Sequence, residues 1–143
     1  MAPVDADKVR QHVQYVRGTL LKLRQLHDQG RDAFVADSIN EHAAVRLLHT
    51  AIEALIDIAN HVIAREGLGI PRSYADTVKI LTDEKILPAE RKDTFLKMVR
   101  FRNRAVHLYD EIDPGEVFSI LENDLDDFEA FLAPIIDRYL ARP

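Results

Sequence analysis

An all-α fold, an up-and-down antiparallel bundle of about five helices, is what this sequence predicts, and three observations predict it. Apolar residues recur at three- and four-residue steps through most of the chain, the spacing of one helix face. Only five glycines and six prolines punctuate the 143 residues, and β-branched residues never gather into alternating runs. Hydrophobic residues make up 47% of the chain, enough to bury a core, while 30% charged residues leave a solvated surface. The length fits one domain, residues 1–143, with no repeats, linkers or low-complexity tracts.

The first helix is placed at about residues 5–28, with Val9, Val13, Val16, Leu20, Leu23 and Leu26 inward and Gly30 near its end. Ser38-Ile39-Asn40-Glu41 has the form of a capping box. The helix that includes it turns Val45, Leu48, Ile52, Leu55, Ile56, Ala59 and Ile63 inward. It runs to about Glu66, where Gly67 and Gly69 can stop it. Phe34 and Val35 leave its start open to a backward extension. Pro71-Arg72-Ser73 opens a short helix with Ser73 as cap and Val78, Ile80 and Leu81 to bury. Pro88 suits the first turn of a fourth helix, where a missing amide costs nothing, and Phe95, Met98, Val99, Arg102 and Val106 form its stripe. Asp113-Pro114-Gly115-Glu116 starts the last helix, whose inward side runs from Val117 to Leu132, with a kink or break expected at Pro134.

The chain has no cysteine, which excludes disulfides and thiolate zinc sites and suits a reducing cytoplasm. Met1–Arg10 is charged and lacks the apolar core of a signal peptide. The apolar stretch Ala51–Ala64 is interrupted by Glu53, Asp57, Asn60 and His61, and reads as too short and too polar to span a membrane. A soluble cytoplasmic protein with no membrane partner is expected. The net charge of −5 disfavours nucleic acid as a partner overall. The distribution matters more. Arg91, Lys92, Lys97, Arg100, Arg102 and Arg104 are opposed only by Asp93, whereas Asp110–Glu129 contains nine acids and no base. Local phosphate binding stays open.

The informative segment is Phe101-Arg102-Asn103-Arg104-Ala105-Val106-His107-Leu108-Tyr109. Arg102 falls on an apolar stripe, where a guanidinium needs a partner. It either snorkels to water or pairs with an acid such as Asp57, or it is held there for a purpose. His107 near a helix end is either a satisfied structural group or a general acid or base at cellular pH. Asn103, four residues earlier, is close enough to hydrogen-bond its ring. The remaining histidines are scattered. His42 and His49 lie seven apart on one face without further ligands at i,i+4, so no metal site is expected. Glu122–Glu129 reads as a solvated helix face, and no glycine-rich phosphate loop, nucleophile elbow or paired catalytic carboxylates appear.

Read as Arg102, His107 and Tyr109, the pattern Arg-x4-His-x-Tyr resembles the motif of HEPN-domain ribonucleases, in the variant found in HepT-like toxins. The resemblance extends to Glu53–His61, to Gly67–Pro71 and to Leu121–Asp127, and so covers nearly the whole chain. It implies RNA cleavage without a metal or cofactor, with the ribose 2′-OH as nucleophile. His107 would act as general base or acid, and Arg102 would hold the scissile phosphate. Asn103 and Arg104 would be auxiliaries. It also implies a partner, a nucleotidyltransferase antitoxin of the MNT (MntA) type, which transfers AMP from ATP onto Tyr109 and so occludes the cleft.

Geometry adds a constraint. On a continuous helix, residues five apart are separated by about 140° around the axis and about 7.5 Å along it. Either the helix breaks before His107 or two chains share a cleft. HEPN proteins dimerise with their motifs facing, so a homodimer or a higher even-numbered oligomer is implied. The alternative is a non-catalytic helical module that docks a nucleotidyltransferase. That module would keep Tyr109 but has no use for Arg102 and His107 together.

Overall fold

The computed structural model describes residues 3–140. They form seven α-helices: α1 (Ala6–Asp28), α2 (Arg31–Ala36), α3 (Ser38–Glu66), α4 (Tyr74–Asp83), α5 (Lys92–His107), α6 (Pro114–Asn123) and α7 (Asp126–Tyr139). Two short 3₁₀ turns, Ala89–Arg91 and Tyr109–Glu111, flank α5, and no strand occurs among the described residues. The all-α class stands, with two more helices than the pattern suggested.

The core is built around α3, which is apolar on most sides and buries residues from Ala44 to Ile63. The longest of its interfaces is with α1, whose Val9, Val13, Val16, Leu20 and Leu23 are buried. The other helices pack on its remaining flanks, with α4 and α5 also packed on each other. Within the 29 residues of α3 an 18-residue window reaches a mean hydropathy of 1.3, so by length and composition alone, and unlike the shorter stretch Ala51–Ala64, the helix could cross a membrane. Its apolar faces are occupied by the other helices instead.

Three boundaries differ from expectation. The capping box at Ser38 does not form. Asp37, one residue earlier, is extended (φ −124°, ψ 112°), and its carboxylate accepts from the Ile39 amide at 2.9 Å. Phe34 and Val35 do not extend α3 backwards. They belong to α2, which exists to seat Phe34, fully buried with its ring 5.5 Å from that of Phe118. The last helix is two helices: α6 closes with the Asp124 amide on the Ile120 carbonyl, and the chain turns at Asp124–Leu125 before α7 starts. Pro134 lies inside α7, where it removes one amide donor without ending the helix.

Other signals act where they were read. Ser73 caps α4 by accepting from the Asp76 amide at 3.0 Å, and Asp113 with Pro114 opens α6. Gly67 ends α3 in the left-handed region (φ 67°), which glycine enters without Cβ strain. Pro88 precedes a 3₁₀ turn, so α5 proper begins only at Lys92.

Candidate functional site

Every motif residue lies on α5 or the turn after it. The buried side of α5 is Phe95, Val99, Phe101 and Ala105, while Val106, expected inward, is 41% exposed. Arg102 therefore sits on the edge of the buried face rather than in its middle. The helix continues unbroken through His107 and is closed by Leu108 (φ −133°), whose amide donates to the Arg104 carbonyl at 2.8 Å. No break brings Arg102 and His107 to the same side. One chain presents them about 140° apart.

Arg102 is held from three directions. Its Nε and Nη2 donate to Oε2 of Glu53 on α3, at 3.1 and 2.7 Å. Its Nη1 donates to Oδ1 of Asn103 at 3.2 Å, and its guanidinium carbon lies 4.7 Å from the ring centroid of Tyr74, the first residue of α4. The side chain is only 17% exposed. The acid is Glu53, one turn before the Asp57 named as an example. Asp57 instead lies 3.9 Å from His12 Nε2. His49 Nε2 is also 2.7 Å from Glu53 Oε2. Burial alone would raise the Glu53 pKa, but hydrogen bonds from Arg102 and His49 outweigh it, so the carboxyl is held below its ordinary range and stays ionised.

His107 contrasts with this. It is exposed, and its ring makes no hydrogen bond among the described residues. Asn103 does not orient it, because the Asn103 oxygen is taken by Arg102. Arg104 is engaged by the chain's own acids: Nη2 donates to Glu116 at 2.9 Å and to the Glu111 carbonyl at 3.4 Å. The Glu116 hydrogen bond raises the Arg104 pKa further, so its charge is permanent. Tyr109, in the 3₁₀ turn, is partly buried with its ring 5.5 Å from that of His42. Burial, then Glu41 and Asp110, push its phenol pKa above the ordinary value.

The basic and acidic segments of the sequence meet across a cleft of about 590 Å³ between α5 and the α6–α7 pair. Lys97, Arg100 and Arg104 stand on one wall, and Glu116, Asp124 and Asp127 on the other. The basic run is thus partly neutralised within the chain instead of forming one open patch. Sequence reasoning missed Glu53, His49 and Tyr74 as neighbours of Arg102. A signal existed for the first two, a polar i,i+4 pair set among the apolar residues of α3. Nothing local marks Tyr74.

Chemically, the site offers a directed guanidinium and an accessible imidazole, suited to an anionic oxygen and a mobile proton. Residues 16–135 match the family described as Ribonuclease HepT-like. The mRNA nuclease HepT of Shewanella oneidensis is 32% identical over 117 residues, covering 82% of this chain and 87% of that protein. The tRNA nuclease HepT of Aphanizomenon flos-aquae is 26% identical over 113 residues, covering 79% and 77%. A solved structure of the tri-AMPylated S. oneidensis HEPN toxin in complex with its MNT antitoxin superposes with TM-score 0.85 at 30% identity, covering 92% of this chain and 98% of that one. The chain belongs to the HepT-like family of HEPN ribonucleases.

Proposed function

We propose that this chain is the ribonuclease toxin of a toxin–antitoxin pair and cuts RNA in the cytoplasm without a metal, as one HepT-like domain. The observation that carries the reading is the pairing, on one helix, of a guanidinium with N–H groups to spare and an imidazole without a hydrogen bond among the described residues. Glu53 takes the Nε–Nη2 edge of Arg102 and Asn103 one Nη1 hydrogen, leaving one N–H on each of Nη1 and Nη2 for phosphate oxygens. In the reaction His107 removes the proton of a ribose 2′-OH, or supplies one to the leaving oxygen. The 2′ oxygen bonds to the adjacent phosphorus, and the bond from phosphorus to the 5′ oxygen breaks. A cyclic phosphate and a 5′-hydroxyl result, while Arg102 stabilises the charge that grows on the phosphoryl oxygens.

Because α5 is continuous, Arg102 and His107 of one chain face different directions. The working unit is therefore a homodimer, or a higher even-numbered oligomer, whose paired clefts combine residues of two chains. Asn103 and Arg104 are auxiliaries: the first braces Arg102, the second adds fixed positive charge. Tyr109 is the site at which an MNT-type nucleotidyltransferase adds AMP; the tri-AMPylated relative in complex with an MNT antitoxin supports the modification, and the family motif supports the residue. The phenol, held protonated, needs a base from that partner.

The test is cleavage of single-stranded RNA by purified protein. Arg102→Ala and His107→Ala should each lower the rate by about a thousandfold or more with the helical spectrum intact, the scale for losing a transition-state contact or an acid–base group. Chelator should leave wild-type cleavage unchanged. Cleavage that survives both substitutions, or stops with chelator, overturns the reading.

A further inference from the structure

We infer that Glu53 is a positioning residue for the reaction: it fixes the direction in which Arg102 presents its guanidinium, with His49 fixing Glu53 in turn. The inference rests on the function proposed above but concerns residues outside the motif. One carboxylate oxygen, Oε2 of Glu53, collects three donors: Nε and Nη2 of Arg102 at 3.1 and 2.7 Å, and Nε2 of His49 at 2.7 Å. An arginine has five N–H groups in a planar fork. Holding the Nε–Nη2 edge fixes the plane and in-plane rotation of that fork and aims its other end away from α3. Tyr74 covers the guanidinium at 4.7 Å, so α3 and α4 together remove the freedom of a side chain rooted on α5. The His49 and Glu53 side chains are 16% and 33% exposed, so the bracing group is partly withdrawn from water.

An ion pair present only for stability would be indifferent to which edge it uses. One that competes with substrate would occupy the Nη1–Nη2 end. Glu53 does neither, since it binds the side edge; Asn103 takes one Nη1 hydrogen, and one N–H on each of Nη1 and Nη2 remains for a phosphate. A guanidinium free to swing would reach the same phosphate in many poses, few of them productive.

The experiment uses the full chain with Glu53→Ala and Glu53→Gln, beside wild type and Arg102→Ala, on a fluorescent single-stranded RNA. Glu53→Ala should lower kcat about 10- to 100-fold, the scale of an ångström-level misplacement. KM should not rise, because removing an acid makes the surface more favourable to RNA. Glu53→Gln keeps an oxygen for the same edge and should recover most of kcat. Unchanged circular dichroism and a melting point well above the assay temperature exclude loss of folded protein. A second readout is independent of activity: the ¹⁵N-edited Nε–H signal of Arg102, assigned by its disappearance in Arg102→Lys. It should be shifted and protected in wild type and Glu53→Gln, and collapse to the free-arginine position in Glu53→Ala. Faster cleavage by Glu53→Ala, unchanged kcat, or an Nε–H signal indifferent to Glu53 overturns the inference. If wild type does not cut RNA, or Arg102→Ala still does, the function proposed above fails, and the Nε–H signal still decides whether Glu53 aims Arg102.

Discussion

Arg102 and His107 lie five residues apart on one helix, yet the chain treats them in opposite ways. Arg102 has a carboxylate, an amide oxygen and an aromatic face around it, all from the same molecule. His107, the last residue of α5, is exposed and unpartnered among the described residues. The difference follows from cost. A guanidinium at the edge of a core must be paired or the fold pays several kcal/mol, whereas an imidazole at a helix end can stay in water. It also says where something outside the chain belongs. Under the function proposed above, the arginine half of the site is finished by folding, and the histidine half would be completed by a second chain, an RNA or both.

The sharpest way to break that contrast is to separate the two halves. Arg102→Ala and His107→Ala, each expected to be inactive alone, should regain partial cleavage when co-expressed or refolded together. A shared cleft would then pair an intact Arg102 with the intact His107 of the other chain. Light scattering of the wild type at micromolar concentration should give a dimer or larger. A monomer that cleaves RNA, or mixtures that stay dead, would place both residues of each site on one chain.

A smaller effect is expected at Tyr109, on the unfinished side. With an MNT-type partner, ATP and magnesium, intact mass should rise by one or more AMP units per chain, and the modified protein should stop cutting. The added phosphate would compete with RNA for the arginines nearby. Tyr109→Phe should block the addition while leaving cleavage in place. AMP on another residue, or full activity after complete modification, would remove Tyr109 from the switch.

Stability should separate the halves as well. Arg102→Ala strands a partly buried Glu53 and should cost about 1–2 kcal/mol in urea unfolding, discounted because the carboxylate is one-third exposed. His107→Ala breaks no contact within the chain and should cost less than about 0.5 kcal/mol. Equal costs would mean that the contrast between the two ends is not energetic.

Much of this was legible in the residues. Helix faces follow from three- and four-residue spacing, a stop from Gly67, and starts from Ser73 and Asp113-Pro114, because each acts through its own backbone neighbours. The motif was legible because its residues lie close together in sequence, between Arg102 and Tyr109. What was not legible depends on elements distant in sequence. Glu53 lies 49 positions before Arg102, and only the packing of α3 on α5 makes it, and not Asp57, the partner. The turn at Asp124–Leu125 carries neither glycine nor proline, so the pattern offered Pro134 instead. Asn103 is at hydrogen-bonding distance from two candidates by spacing, and the arginine next to it wins over the histidine four residues on.

A third side chain gives the contrast a control. His61, on α3, is the satisfied histidine that His107 is not: it is 8% exposed, and its Nε2 accepts the Asp5 backbone amide at 2.9 Å, tying the start of α1 to the core. Burial first, then the nearby Lys8 and Arg65 charges, lower its pKa below the ordinary 6.5. The folded state thus resists a proton that the unfolded chain takes up readily near pH 6.5. Its contribution to stability is fully present above that value and is lost as pH falls from 6.5 through the lowered folded value. Unfolding free energy measured in urea at pH 7.5 and 5.5 should fall on acidification, by less than the about 1.4 kcal/mol that one pH unit is worth to a single titrating group. Carboxylates contribute little to that window, because they titrate mostly below it. His61→Gln keeps an acceptor for the Asp5 amide but cannot titrate, so it should flatten the slope, whereas His107→Ala should leave it in place. A slope that vanishes with His107→Ala and survives His61→Gln would mean that the exposed histidine is bound to something within the folded chain.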